Sequence, residues 1–160
     1  MVRDVLNDRI GLKNRILRAA KRKQEQIISD FRQRIKDAMS TEGNVNEEEY
    51  DNHQQSFKAG ILAEVNLLNN ELEFVNRELD EIRKIENFKD TVHEQVEFGS
   101  VVRTDKSTFF VSASIEQFDV DGEQVFGLSI DSPLYGSMKG KRVGESFSYR
   151  MYTYVITEIF

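Results

Sequence analysis

The sequence predicts an α+β protein with two parts. An antiparallel coiled-coil hairpin of two long helices occupies residues 1–90, and a small antiparallel β domain with one short helix occupies residues 91–160. The first observation is a proline-free stretch from Asp4 to about Met39 with apolar side chains at helical spacing. The second is a heptad pattern in the following stretch, and the third is a change to short strand-like runs from Gly99 onward.

The two helices differ in the regularity of their apolar seams. In the first helix, Lys13 and Gln24 interrupt a seam of Leu6, Ile10, Leu17, Ile27, Ile28, Phe31, Ile35 and Met39. Stop and turn residues then collect at 40–46. In the second helix, steps of three and four residues form a near-strict heptad repeat through Phe57, Ile61, Val65, Leu68, Leu72, Val75, Leu79 and Ile82. Two such helices joined by a short turn predict an antiparallel coiled coil.

The last 60 residues carry the signals of a small twisted sheet. Strand-like runs lie at 100–104, 108–114, 124–130, 146–150 and 153–159. Residues 119–122 (Asp-Val-Asp-Gly) have the composition of a hairpin turn. A short helix is expected around 134–139, with Asp131 or Ser132 as its cap and Pro133 at its first position.

Composition excludes several classes of protein. The sequence has no cysteine, so disulfides, thiolate metal sites and cysteine nucleophiles are ruled out. No apolar run approaches the length of a membrane span and no signal peptide is recognisable, which predicts a cytoplasmic protein. Charge is polarised: residues 1–40 carry 11 Lys or Arg against 5 Asp or Glu, and residues 41–98 carry 5 against 15. This polarity fits mutual attraction of the helices or a basic stripe for a phosphate backbone.

The concentrated chemical feature is the run Glu47-Glu48-Glu49 at the turn of the hairpin. Carboxylates at the end of a long arm could share a hard cation such as Mg²⁺ with a site that the body of the protein cannot enter. Acidic residues in the first turn of a helix also stabilise it by their interaction with the helix dipole, which is the alternative explanation. The histidines His53 and His93 have no ligand spacing and are expected to be ordinary surface or helix-end residues.

The segment from Asp131 to Glu145, Asp-Ser-Pro-Leu-Tyr-Gly-Ser-Met-Lys-Gly-Lys-Arg-Val-Gly-Glu, resembles the C-terminal signature of the bacterial Gre transcript-cleavage factors. The family has Ser-Pro, Gly-Lys and Gly-acid there, then a final Tyr-x-Ile-x-x-Ile strand like the one beginning at Tyr154. The turn from Gly43 to Tyr50 is similar to the family's Gly-Asp-Leu-x-Glu-Asn-x-Glu-Tyr, shortened by one residue.

The resemblance implies an FKBP-like C-terminal domain that docks on RNA polymerase through Asp131, Ser132 and Pro133. The coiled coil would then enter the secondary channel. Acidic residues at the family's tip help to hold a second Mg²⁺, so that the polymerase cleaves its own backtracked transcript. Carried over, the catalytic tip residues are Glu47, Glu48 and Glu49, with Glu47 and Glu48 as metal ligands. The chain would hold no cofactor of its own, catalyse nothing alone, and involve neither a membrane nor a small-molecule substrate.

One departure leaves the cleavage function open. The family's tip Asp falls on Asn44 or Gly43, depending on the end from which the turn is aligned, so that carboxylate is missing. An amide binds Mg²⁺ less strongly than a carboxylate does. Cleavage stimulation and cleavage-free regulation in the channel are therefore both open. In either case Arg15, Arg18, Lys21 and Arg22 are candidates to contact nascent RNA phosphates.

Two hypotheses from other classes remain beside the regulator. A coiled-coil adaptor or chaperone would grip another protein with the hairpin and would not need the tip carboxylates. A peptidyl-prolyl isomerase, suggested by the FKBP-like fold, would need a deep aromatic pocket lined by residues such as Phe109, Phe126 and Tyr135. Aromatic residues in a domain of this size are more often its core.

Overall fold

A computed structural model describes residues 2–42 and 52–160 of the chain. Contacts divide it into two compact units. The first, here called the sheet unit, contains Met1–Lys23 and Glu78–Phe160, and the second, the helix-pair unit, contains Gln24–Arg77. The N-terminal part of the first helix thus shares a unit with the C-terminal part of the second, as in an antiparallel hairpin.

Helix α1 spans Val2–Glu42 and helix α2 spans Asn52–Ile85, followed by a 3₁₀ turn at Glu86–Phe88. The predicted heptad seam lies on the buried side of α2 from Ile61 onward, whereas its first member, Phe57, is 52% exposed. Its buried members are Ile61, Leu68, Val75, Leu79 and Ile82. On α1 the buried stripe includes the polar interruptions themselves, since Lys13 and Gln24 are 1% and 2% exposed. None of the described helices is long and apolar enough to cross a membrane.

The C-terminal residues form a six-stranded mixed sheet with the order β3-β4-β2-β1-β6-β5. The strands are β1 Val101–Thr104, β2 Thr108–Ser112, β3 Ile115–Val120, β4 Glu123–Ser129, β5 Ser146–Tyr149 and β6 Tyr152–Ile159. Helix α3, Pro133–Met138, lies between β4 and β5 in the chain. The fold class is therefore α+β, with long helices followed by a β domain.

The sheet is covered on both faces. Within β2, Phe110 packs in a cluster with residues of α1 and α2 such as Ile16 and Ile82, here called the hairpin-side core. Its neighbours Phe109 and Val111 belong to a second cluster with Met138 of α3, here called the α3-side core. Alternate residues of a strand point to opposite faces, so β2 is buried on both.

The prediction of a purely antiparallel sheet is wrong for one pairing, since β2 and β4 are parallel. The chain crosses from β2 to the sheet edge, forms β3, and returns through a tight turn as β4 between β3 and β2. Asp121 and Gly122 of that turn both have positive φ, at 55° and 83°. Such angles are those of the predicted two-residue hairpin turn. The order of strands is a non-local property that short sequence patterns do not encode.

Candidate functional site

The predicted docking residues surround the start of α3. The Ser132 Oγ accepts a hydrogen bond from the Tyr135 N–H at 3.1 Å, so Ser132, and not Asp131, is the N-cap. Pro133 follows at the first helical position, where its missing N–H would have no partner. Asp131 and Pro133 are exposed, and Asp131 forms no ion pair with any described residue. The cap therefore holds a carboxylate and a proline ring at the surface.

The Gly-Lys and Gly-Glu elements of the motif form a turn that fastens the segment before β1. Val96 N–H donates to the Lys141 carbonyl and Gly140 N–H to the Val96 carbonyl, both at 2.8 Å. Gly144, with a φ of 88°, donates to the Ile156 carbonyl of β6 at 2.8 Å. An L side chain rarely adopts such a φ, which explains glycine at this position. These bonds give the glycines of the motif a structural role.

The four predicted RNA-binding residues of α1 fall into two pairs. Arg15 and Lys21 are engaged in ion pairs, Arg15 with Asp121 at 2.7 Å and Lys21 with Glu86 at 2.5 Å. Arg18 and Arg22 are exposed and form no ion pair with the residues that the structure describes. Of these four residues, Arg18 and Arg22 are therefore the two whose charges are not balanced by a carboxylate among the described residues.

Arg15, Arg18 and Lys21 come together in a pocket of about 830 Å³ in the sheet unit. Arg22 does not line it. The lining is Gly11, Asn14, Arg15, Leu17, Arg18, Lys21, Glu86 and Lys89. The pocket thus contains three of the four residues predicted from the sequence, and it adds Lys89, which was not predicted. The sequence offered no signal for Lys89, because it lies 68 residues or more from the lining residues of α1.

The predicted tip residues Glu47, Glu48 and Glu49, including the proposed metal ligands, lie outside the described residues. The same holds for Asn44, at the position of the missing aspartate. Within residues 2–42 and 52–160, no group of three or more His, Asp or Glu side chains could hold a metal ion. The hypothesis of a shared Mg²⁺ therefore remains a prediction about the turn.

A buried polar cluster that the sequence did not predict joins α1 to the segment before β1. The Lys13 ammonium donates to the Thr91 carbonyl at 2.8 Å. Burial lowers the pKa of Lys13 to about 8, although the carboxylates of Glu97 and Asp90 oppose the shift. Asn14, one residue further along α1, donates to Asp90 at 3.0 Å. The polar residue that interrupts the α1 seam, Lys13, thus binds the segment that follows α2.

His93 is a core residue and not the surface or helix-end residue expected from the sequence. It is 6% exposed, and its Nδ1 lies 2.6 Å from the Glu97 carboxylate. Burial lowers the pKa of His93 despite this hydrogen bond, so the ring is neutral near pH 7 and Nδ1–H donates to Glu97. Hydrogen bonding to His93 in turn lowers the pKa of Glu97. The ring also packs edge-on against Phe88 at 6.4 Å between centroids.

The aromatic residues considered for an isomerase pocket belong mainly to the two cores. Phe110 and Phe118 are buried in the hairpin-side core. Phe109, Tyr135 and Phe147 are buried in the α3-side core. These five rings are core side chains, which is the commoner role of aromatic residues in a domain of this size.

No protein-family model and no curated protein matches this sequence. Matching solved structures include GreA factor homolog 1 (Gfh1) of Thermus thermophilus, 17% identical over 89% of this chain and 95% of that chain, with a TM-score of 0.33. Gfh1 of Thermus aquaticus is 17% identical over 89% and 94%, with a TM-score of 0.31. A structure described as the transcription factor Gfh1 is 18% identical over 88% and 93%, with a TM-score of 0.32. At these values the likeness assigns no function to the chain.

Proposed function

We propose that this protein is a transcription elongation regulator that binds bacterial RNA polymerase. The C-terminal domain docks at the secondary channel through the surface around Asp131, Ser132 and Pro133, and the hairpin tip enters toward the active site. The observation that carries the proposal is the Gre-like motif from Asp131 to Glu145, whose Ser132 caps α3 while its neighbours Asp131 and Pro133 are exposed.

The chemistry of the tip decides between two forms of this function. Glu47, Glu48 and Glu49 supply carboxylate oxygens, which are the ligands that Mg²⁺ prefers. In the cleavage-stimulating form, these oxygens share a Mg²⁺ with the polymerase, whose own active site then cleaves backtracked RNA. In the cleavage-free form, the tip occupies the channel and regulates without cleavage. The chain itself catalyses nothing alone in either form.

Exposed cations on α1 suit contact with nascent RNA in the channel. Arg18 and Arg22 have no ion pair within the described part of the chain, so their charges are available to phosphates. Arg15 and Lys21 would first have to exchange a carboxylate partner for a phosphate. Contacts of this kind are independent of RNA sequence and weaken with added salt.

The docking surface is tested by reversing one charge. We expect Asp131→Lys to weaken binding of the purified protein to RNA polymerase at least tenfold, because a rim charge of the wrong sign repels the matching partner surface. Glu116→Lys is the matched control, since Glu116 is an exposed carboxylate on β3 of the same domain. Equal weakening by both variants would mean that the effect is one of net charge, and would contradict docking at Asp131.

The two forms of the function are separated by a transcript assay. The protein is added with Mg²⁺ to a stalled, backtracked elongation complex carrying a labelled transcript. Shortening from the 3′ end that is lost on changing Glu47, Glu48 and Glu49 together to Ala supports cleavage stimulation. Competition with a known cleavage factor, without shortening, supports the cleavage-free form. Neither shortening nor competition would contradict the polymerase hypothesis itself.

A coiled-coil adaptor is the second candidate, favoured by apolar side chains on the surface of α2. Leu62 and Leu67 are each 60% exposed and Phe74 is 44% exposed. An adaptor would use these side chains on a protein other than polymerase and would keep its function in the triple Ala variant of the tip. Wild-type binding to RNA polymerase that Asp131→Lys weakens, and that Leu67→Ser with Phe74→Ser leaves unchanged, would count against the adaptor.

A further inference from the structure

We propose that the pocket beside α1 is a binding site for an oligophosphate anion, either free or as the phosphates of a nucleotide. Arg15, Arg18 and Lys21 line it from α1, and Lys89 lines it from the segment after the 3₁₀ turn. The lining residues carry four cationic groups and one carboxylate, that of Glu86. Its volume of about 830 Å³ is in the usual range for small-molecule sites.

The charges that are free in this pocket point to an anion. Arg18 and Lys89 form no ion pair with any residue in the described ranges. Two unpaired like charges at one cavity repel each other, and an anion bound between them offsets this repulsion. Phosphoryl oxygens suit such a position because they accept charge-assisted hydrogen bonds from both groups. An arginine presents a planar fork that matches phosphate geometry, and a lysine presents a point charge.

The other lining groups restrict what else the ligand contains. No aromatic ring lines the pocket, and Leu17 is its one large apolar side chain, so a nucleobase would find no stacking partner there. Asn14 is held by Asp90 through its amide nitrogen, and its Oδ1 is buried without a hydrogen-bond partner. Because that oxygen is buried, a ligand hydroxyl in the pocket does not reach it unless neighbouring side chains shift. The phosphates would therefore dominate recognition.

Glu86 acts as an internal competitor for the ligand. Its carboxylate lies 2.5 Å from the Lys21 ammonium and lines the same pocket. A bound phosphate would be repelled by Glu86 and would compete with it for Lys21. Neutralising this carboxylate should therefore strengthen anion binding, which is an effect opposite in sign to that of removing a lining cation.

This inference goes beyond the proposed function because it concerns the free protein. The site lies in the sheet unit and needs neither polymerase nor the hairpin tip. The ligand is a bound effector and not a substrate, since no chemistry is assigned to it. Binding measured without polymerase therefore stands or falls separately from the docking and transcript assays.

The test is isothermal titration of the full-length protein with sodium tripolyphosphate at low and physiological salt. We expect saturable binding of one ligand per chain that weakens with salt. Arg18→Gln and Lys89→Gln should each weaken binding about tenfold or more, the effect of losing one charge-assisted hydrogen bond. Glu86→Gln should tighten it. Arg22→Gln is the matched control, because it removes the same charge from the same helix outside the pocket lining.

The Arg22→Gln control distinguishes binding in the pocket from a general attraction of the anion to the basic helix. If Arg22→Gln weakens binding as much as Arg18→Gln, or if Glu86→Gln does not tighten it, the pocket is not the site and the proposal is overturned. Absence of saturable binding in the wild type overturns it as well. Circular dichroism of each variant ensures that loss of binding is not loss of fold.

Two further ligands identify the source of the phosphates. ATP binding as tightly as tripolyphosphate supports recognition of the phosphates alone. Tighter ATP binding supports a nucleotide as the ligand. A single-stranded RNA oligonucleotide that binds more tightly than both, and that is weakened equally by Arg18→Gln and Arg22→Gln, would assign the cations to an extended RNA surface and overturn the pocket proposal.

Discussion

The two compact units of this protein are stabilised by different means. The sheet unit has two hydrophobic clusters, one on each face of the sheet. It also has a charged network in which Arg103 binds Glu123 at 2.5 and 2.9 Å and Glu158 at 2.6 Å. Among its described residues, 24–42 and 52–77, the helix-pair unit buries few side chains: Gln24, Ile28, Ile61, Leu68 and Val75.

This difference indicates a division of roles. A unit with a double-sided core and a charged network can hold the α3 surface in one conformation. A pair of helices with a narrow seam has little buried apolar surface to stabilise it, so its sides remain available to a partner. We therefore expect substitutions to lower global stability in the sheet unit and to act locally in the helix-pair unit.

The largest effect is expected at the centre of the hairpin-side core. Phe110→Ala removes a fully buried ring and should lower the free energy of unfolding by about 3–5 kcal/mol. Phe74→Ala also removes a phenyl ring, but from an exposed position of α2, and should lower the free energy of unfolding by less than about 1 kcal/mol. Denaturant unfolding of both variants measures the contrast. Similar losses would contradict the difference in burial between Phe110 and Phe74.

A smaller effect is expected from the seam of the helix pair. Leu68 is 3% exposed, and Leu68→Ala should lower the free energy of unfolding by about 2–3 kcal/mol, because a narrow two-helix seam can partly close around the smaller side chain. Hydrogen exchange should show faster opening of amides in residues 52–77 and unchanged protection of β1 and β2. Equal loss of protection in the sheet would contradict independent behaviour of the units.

The buried Lys13 predicts a dependence on alkaline pH. Its native pKa of about 8 lies below the ordinary value of 10.5, so the unfolded state binds more protons between these values. Stability contributed by this group therefore rises with pH from about 8 to 10.5, by roughly 1 kcal/mol per pH unit at most. The measurement is the difference in unfolding free energy between wild type and Lys13→Met across this range. A pH-independent difference would show that the ammonium is not desolvated.

The smallest effect is expected from His93 in the acid range. Its pKa is lowered by burial, so below about pH 6.5 the unfolded state binds the proton more readily than the native state. The native state should lose stability as pH falls from 6.5, and Glu97, whose pKa is also lowered, adds to the loss at lower pH. His93→Gln should reduce the loss near pH 6, as measured by thermal unfolding.

Patterns that depend on neighbouring residues were predicted well from the sequence. The α2 heptads, the Asp121-Gly122 turn and the cap of α3 each rest on local propensity, and each is confirmed. Strand β3 was missed because its buried residues, Ile115, Phe118 and Val120, do not alternate strictly. Its pairing with β4 shifts register between Ile115 and Phe118, and such a bulge removes the period of two.

Features that depend on distant residues were not predictable. Lys13 was seen as an interruption of the α1 seam, since its partner, the Thr91 carbonyl, lies 78 residues away. Lys89 joins the pocket of Arg18 only once the segment after α2 folds back beside α1. The parallel pairing of β2 with β4 likewise follows from the path of the chain. In each case the contact joins residues that are far apart in the sequence, so no pattern of neighbouring residues predicts it.

The proposed entry of the hairpin tip into the polymerase channel can be tested by site-specific crosslinking. A photoreactive amino acid replaces Asn46, which lies between α1 and α2 in the sequence, and is irradiated in a complex with RNA polymerase that is stalled on DNA. A second protein carries the same group at Glu116 on the sheet. We expect crosslinks from position 46 to polymerase segments at the active site or to the transcript 3′ end, and none there from position 116. Binding to polymerase without any crosslink from position 46 to the channel would contradict it.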